Sequence, residues 1–360
     1  MTDRDAYLAL STFLPFGPVH LRHLLNYFET PQNVWRATKK QLQEIELKPQ
    51  LIQKFLKHRQ EFDLKKYKSE LHDKQIKWIT KFEDTYPANL KLLDDAPFTL
   101  YYKGEWLFQD KDAVAIVGTR KMTTYGRSVC QQFSEYLSSR GITIVSGLAL
   151  GVDAIAHKSA LEVSGRSIAV LASGLDTISP VMNKWIADKM VQNKLGVIMS
   201  EYPLNTPPAK SHFPHRNRLI SGLSKAVLVV EGRIKSGTLH TAKHAADQGR
   251  SVFAIPGEVT SPMSEASHYL IRNGAVLADK PQSIIEDLDM QLRVDSEEVE
   301  KVLPTDEIEK VIFELLHAEP LHIDEIVRMS GLSISTVTTK LTMMELKGLI
   351  RQIDKGVYGK

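Results

Sequence analysis

Through the middle of the chain, glycines, small hydroxyl residues and cations recur where short apolar runs end. Val117-Gly118-Thr119-Arg120 closes one run, and Ser146-Gly147-Leu148-Ala149-Leu150-Gly151-Val152-Asp153 follows a second. Ala172-Ser173-Gly174-Leu175-Asp176 ends a third, and Lys235-Ser236-Gly237-Thr238 comes just after a fourth. Arg216, Asn217 and Arg218 stand ahead of that fourth run, in Phe213-Pro214-His215-Arg216-Asn217-Arg218. Glycine lets a backbone approach a bound group closely, while hydroxyls and helix-starting amides donate to oxyanions. Arginine adds a fork that bonds phosphate in two places. The chemistry is that of an anion-holding crevice.

Other chemistries lack their residues. No G-x-x-x-x-G-K-[ST] marks an ATP loop, and no G-x-G-x-x-G is followed by the acidic residue a dinucleotide site needs. His240 and His244 share a helix face, yet no cysteine or carboxylate lies at zinc-binding spacing, so neither metal nor cofactor is expected. Asp153, Glu201 and Glu231 fall near strand ends. Asp153 is expected to orient a turn, and the two glutamates to hold arginine and lysine side chains. The competing reading makes one of them catalytic, in a nucleotide-binding enzyme that cleaves glycosidic bonds.

Position comes from the elements around these loops. Apolar runs at 114–117, 142–145, 168–171, 197–199, 227–230, 252–255 and 275–277 alternate with helical patterns such as 125–140, 154–163, 184–193 and 239–248. Strands alternating with helices make a Rossmann-like, doubly wound and mostly parallel sheet. In such a sheet ligands bind beyond the carboxyl ends of the strands, where these loops lie. Upstream, helices are expected over 7–13, 18–28, 31–37, 38–45 and 49–70, forming a small helical domain (1–72), and residues 75–108 read as two lead-in strands. The sheet domain is set at 73–282 and an acidic linker at 283–304. The tail at 305–360 has three helical segments (306–316, 323–330, 335–347) and a hairpin around Asp354-Lys355-Gly356, the pattern of a winged helix-turn-helix.

The formal net charge of +3 hides an uneven distribution. Residues 111–280 carry 20 lysines and arginines against 12 acidic residues, while 281–310 carry 3 against 10. A basic block of this size favours a polyanionic partner. The single cysteine, Cys130, excludes an internal disulfide, and no apolar run approaches the length of a membrane span. A cytoplasmic protein with no membrane partner is expected.

Several motifs together resemble one family. They are Gly118-Thr119-Arg120, the stretch Ser146–Asp153, Ser200-Glu201-Tyr202-Pro203, the F-P-x-R-N-R-x-I-S-G-L run at Phe213–Leu223, and K-S-G-T-L-x-T-A-x-x-A-x-x-Q-G-R at Lys235–Arg250. In order and spacing they resemble the DprA/Smf family of DNA-processing proteins over about residues 75–280, with flanking parts similar to its sterile-alpha-motif-like and winged-helix domains. The resemblance implies a non-catalytic homodimer that binds and protects single-stranded DNA during natural transformation and helps load the RecA recombinase. It further implies that Arg120 and Lys235 are the strongest DNA contacts, with Gly118, Thr119, Ser146, Gly147, Arg216, Asn217, Arg218, Ser236, Gly237 and Thr238 lining the pocket. Phe213 or Tyr202 would stack a base.

Overall fold

The computed structural model describes residues 1–288, 307–318, 320–346, 350–354 and 356–359, in two compact units divided at Leu288. In the first unit six helices come first: α1 (Asp3–Ser11), α2 (Pro18–Phe28), α3 (Pro31–Arg36), α4 (Lys39–Glu44), α5 (Pro49–Glu61) and α6 (Leu64–Asp73). Pro18, Pro31 and Pro49 open their helices where the missing N–H costs nothing, and Thr2 and Thr38 close capping boxes. The expected single helix over 49–70 is two. Phe62 leaves the helix and the Asp63 carboxylate caps the next one, accepting from the N–H groups of Lys65 and Lys66. A core of Phe13, Phe16, Trp35 and Phe55 holds the bundle, and Phe98 from the sheet region packs against it.

The sheet follows, with strands β1 (Lys77–Thr80), β2 (Thr99–Gly104), β3 (Ala113–Val117), β4 (Thr143–Ser146), β5 (Ser167–Val170), β6 (Gly196–Ser200), β7 (Ala226–Val229), β8 (Ser251–Ala254) and β9 (Val276–Leu277). Their spatial order is β1-β2-β6-β5-β4-β3-β7-β8-β9, parallel except where β2 pairs with β1 and β6. The chain therefore starts in the middle at β3, winds out to β6, and returns to β7 on the other side. The strand order reverses at β3 and β7, which opens a crevice at their carboxyl ends.

Helices α7 (Ala88–Lys91), α8 (Thr124–Ser138), α9 (Val152–Glu162), α10 (Lys184–Gln192), α11 (His212–Leu223), α12 (Thr238–Asp247) and α13 (Glu265–Arg272) complete the unit. Alternation along β3 shows the two covered faces. Ala113, Ala115 and Val117 join Leu219, Ile220 and Leu223 of α11 and Ala242 of α12, whereas Val114 and Ile116 join Phe133 and Leu137 of α8 and Ala156 of α9. Arg166, just ahead of β5, forks onto the fully buried Asp110 through two 2.7 Å bonds and ties the approach to β3 into the sheet. The unit runs on past 282 because Ile284 and Leu288, one helical turn apart, are buried against the α8 face. The rest of the expected linker, 289–304, lies outside the described residues.

The second unit contains α14 (Glu307–Ala318), α15 (Ile323–Ser330) and α16 (Ile334–Leu346), with strands β10 (Leu321–His322), β11 (Arg351–Asp354) and β12 (Val357–Gly359) in the order β10-β12-β11. Ile312, Ile326, Val337 and Leu341 form its core, and Gly331 ends α15 in the left-handed conformation (φ 67°). β10 is an addition to the expected hairpin. Two residues are too few for a periodic signal.

Candidate functional site

The crevice at the β3/β7 reversal is a cavity of about 340 Å³. Gly118, Thr119 and Arg120 line it from the loop after β3, Ala149 and Asp153 from the loop after β4 and the start of α9. Phe213, Arg216 and Asn217 reach it from the first turns of α11, and Ser236, Gly237 and Thr238 from the entry to α12. Eight of the residues expected at a phosphate pocket therefore converge: Gly118, Thr119, Arg120, Arg216, Asn217, Ser236, Gly237 and Thr238.

The loop after β3 is held by its own backbone. Thr119 donates its N–H to Glu231 O (2.7 Å) and accepts from Val152 N–H (3.2 Å), which stitches it between the end of β7 and the start of α9. Gly118 is required by this packing, since a Cβ there would lie 2.6 Å from the Val152 side chain. Gly151 (φ 80°) takes a backbone conformation only glycine adopts freely and passes against Thr119 and Arg120. Arg120 projects from this fixed loop and is exposed. Its guanidinium lies over Phe213, with the Cζ atom 5.3 Å from the ring centroid, and no carboxylate among the described residues pairs with it.

Arg216 plays a different part. It is buried, and Nη1 donates to the carbonyl oxygens of Gly147 (2.8 Å) and Val170. Asp153, also buried, accepts from the N–H groups of Gly147 (3.1 Å) and Ala149 (3.3 Å). Burial pushes the Arg216 guanidinium down to about 10, opposed by Asp153; burial likewise raises the Asp153 carboxyl, opposed by Arg216. Asp153 thus orients the turn, as expected. Gly147 contributes space to the site, since a Cβ on it would fall 2.5 Å from Arg216 Nη2. Beneath the turn, His157 Nε2 accepts from Leu148 N–H (3.3 Å), which leaves the proton on Nδ1, facing Ser167 Oγ at 2.7 Å.

The entry to α12 supplies polar groups with few other uses. Ser236 Oγ is buried without a hydrogen-bond partner, and Gly237 caps a helix whose positive end lies at the cavity wall. Asn217 donates to Gly237 O at 3.4 Å and accepts from Arg216 Nε at 3.3 Å, bridging α11 to α12.

Four expected residues are not in the cavity lining. Ser146 is buried and donates to Ile116 O (2.6 Å), holding β4 to β3, and Gly147 lies beneath Arg216. Arg218 points away along α11, fully buried, with Nη2 on Glu201 (2.5 Å) and Nε facing Asp95 (3.3 Å). Two residues along a helix turn the side chain by more than half a circle, so Arg216 and Arg218 face opposite ways. Lys235 is exposed in the loop just before Ser236 and does not line the cavity. The expectation for the glutamates holds for Glu201 and fails for Glu231. Glu231 accepts from the N–H and hydroxyl of Thr123 (2.9 and 2.5 Å) and fixes the start of α8. Of the two proposed stacking residues, Phe213 lines the cavity, while Tyr202 is buried against His212 elsewhere. The role of Phe213 in holding Arg120 was not evident from the sequence, because 93 positions separate the pair.

The family model for DNA recombination-mediator protein A matches residues 77–289, and the DprA winged-helix model matches 297–354. The chain belongs to the DprA/Smf family. It is 41% identical to protein Smf of Escherichia coli over 277 residues, covering 75% of this chain and 74% of the relative. Protein Smf of Synechocystis is 33% identical over 98% of this chain and 97% of its own. The crystallographic structure of DNA processing protein A from Streptococcus pneumoniae superimposes with a TM-score of 0.66 at 31% identity, covering 79% of this chain and 98% of that one. DNA processing protein A from Helicobacter pylori, described for its single-stranded DNA binding mode, gives 0.53 at 31% identity over 60% of this chain and 97% of that one. Fold class, winged helix and DprA/Smf membership thus agree with the sequence expectations.

Proposed function

We propose that the β3/β7 crevice holds the phosphate backbone of single-stranded DNA, and that the protein protects such strands and helps load a RecA-type recombinase on them during DNA uptake. The observation that carries the reading is Arg120. An exposed guanidinium that pairs with no carboxylate among the described residues is held over an aromatic ring, beside the start of α12 and an unsatisfied Ser236 hydroxyl. Cation, amide dipole and hydroxyl suit a phosphate, and an aromatic face suits a base of any identity. The single-stranded DNA binding named for the H. pylori relative supports the same reading.

A binder without catalysis fits the carboxylates. Asp153 is engaged by two amides and Glu231 by Thr123, and neither Glu201 nor Glu231 lines this cavity. A cytoplasmic homodimer working with RecA completes the proposal. Mobility shift with a labelled strand and its duplex tests it: tighter single-strand binding supports the reading, and equal affinity at moderate salt removes it. Release of free base from nucleoside monophosphates would favour the glycosidic hydrolase instead. Sedimentation reads the dimer, and strand exchange with RecA on protected strands reads the loading.

A further inference from the structure

Three large apolar side chains stand exposed where α10 begins. Val181 is 77% exposed, Met182 74% and Trp185 50%, and Trp185 comes one helical turn after the other two. None of them joins the core that the inner face of α10 builds with Ile186, Ala187 and Met190. Their backbone is fixed all the same. Asn183, between them in the chain, is buried, and its Nδ2 donates to the carbonyl oxygens of Leu148 (2.9 Å) and Ala149 (3.0 Å).

The same clamp joins this turn to the anion crevice. Ala149 lines that cavity, Leu150 after it is 38% exposed, and Gly151 passes against the backbone of Thr119 and Arg120. Three loop residues span at most about 10 Å, so Arg120, Leu150 and the turn at 181–183 lie in close succession on the carboxyl side of the sheet. The neighbouring Lys184 is engaged by Asp188 at 2.8 Å, so the turn offers apolar surface and not a free cation. A stable protein partner buries roughly 800 Å² on each side, well beyond what three side chains supply. Bases of a single strand need far less, because an aromatic face stacks on any base and a flexible thioether fits irregular shapes.

We propose that the strand leaves the crevice over Leu150 and lays its next bases on Val181, Met182 and Trp185, with Trp185 stacking one of them. The inference rests on the crevice being a single-strand site, and gives that site a direction and a second contact. Phosphates stay with Arg120, and the start of α10 takes bases. The division fits the chemistry of each surface, since a phosphate gains nothing from an apolar turn and a base gains a desolvated face. Binding through the turn carries no sequence preference, because every base has a π-face.

The test uses the full chain and labelled thymidine strands of about four and about sixteen nucleotides, read by anisotropy. The short strand fills the crevice alone and should bind wild type and Trp185→Ala alike. The long strand should bind wild type roughly tenfold more tightly than Trp185→Ala, the effect of one stacked base, and should quench tryptophan emission far more in wild type than in the variant. Met182→Asp, at a residue 74% exposed, should weaken the long strand only and leave the melting temperature unchanged, which keeps the test decisive if Trp185→Ala unfolds. Equal binding of the long strand by wild type and both variants, with Arg120→Ala weaker than all three, overturns the extension and leaves the crevice standing. Failure of wild type to bind either strand overturns both. A smaller sedimentation coefficient for Met182→Asp with strand affinity unchanged also overturns it, in favour of a second copy of the chain on this turn.

Discussion

Arg120 lies over Phe213 with 5.3 Å between its guanidinium carbon and the ring centroid, and this contact joins the loop after β3 to the first turn of α11. The charge is therefore positioned without being neutralised. Arg120→Ala is expected to weaken single-strand binding by roughly ten- to a hundredfold, the loss of one charge-assisted phosphate bond. The melting temperature should barely move, since an exposed cation–π contact contributes only about 0.5–1 kcal/mol. Measuring affinity and melting on the same sample decides the matter: a large thermal loss with unchanged affinity would make Arg120 a structural residue.

Arg218 should behave in the opposite way. Its side chain and that of Glu201 are 2% and 8% exposed, and removing one partner leaves the other buried and charged. Arg218→Met is expected to destabilise the first unit by about 3–5 kcal/mol, seen in urea unfolding, with single-strand affinity retained in the folded fraction. Unaltered stability would show that the pair is dispensable.

Lys235 provides the contrast, as an exposed cation outside the cavity lining. Lys235→Ala should leave melting unchanged and lower affinity less than Arg120→Ala does, by flattening the salt dependence. On single strands the log–log slope is about −0.7 per phosphate neutralised, so a loss of one contact changes it by about that much. A salt titration of the two variants side by side reads the difference.

His157 makes stability depend on pH. Burial, aided by Arg216, pushes its imidazole from 6.5 down to about 3. The unfolded chain takes up this proton near 6.5 and the folded chain only near 3, so between those values the unfolded state binds more protons and stability falls as pH drops. The Asp153 carboxyl, raised by burial, works in the opposite direction in the acid range, and is common to wild type and variant. Thermal melts from pH 7 to 4 should therefore show a shallower acid loss in His157→Gln than in wild type. Parallel curves would contradict this.

Removing residues 289–360 should leave single-strand binding largely intact, because every cavity-lining residue belongs to the first unit. Complete loss of binding in a folded truncation, by mobility shift, would transfer the site to the winged helix.

The alternation of strands and helices is legible because the buried strands are short apolar runs, most of them followed closely by glycine, and the loops beyond them can be named from the sequence. Helix α11 was harder. Phe213-Pro214-His215-Arg216 carries a proline and basic residues, which suggest a loop, yet proline is accommodated in a first turn and the apolar face begins only at Leu219. Arg216 and Arg218, two positions apart in this helix, therefore face opposite ways, and only Arg216 reaches the cavity. Lys235 was named for its position after a strand; exposure of a side chain in a loop cannot be inferred from spacing. Partners distant in sequence, such as Arg166 with Asp110 or Glu231 with Thr123, leave no local pattern.

The two margins of the nine-stranded sheet differ. At β1, Arg4 occupies the carbonyl of Trp78 and Glu83 accepts from the N–H of Thr80, so side chains already take groups on that rim. At β9, Val276 and Leu277 are 46% and 45% exposed on a two-residue rim, with no such side-chain bond among the described residues. A strand adding to this sheet meets more occupied groups at β1 than at β9. Two copies pairing edge to edge at β9 would form a closed, two-fold pair, whereas head-to-tail pairing of β9 with β1 would meet those side chains.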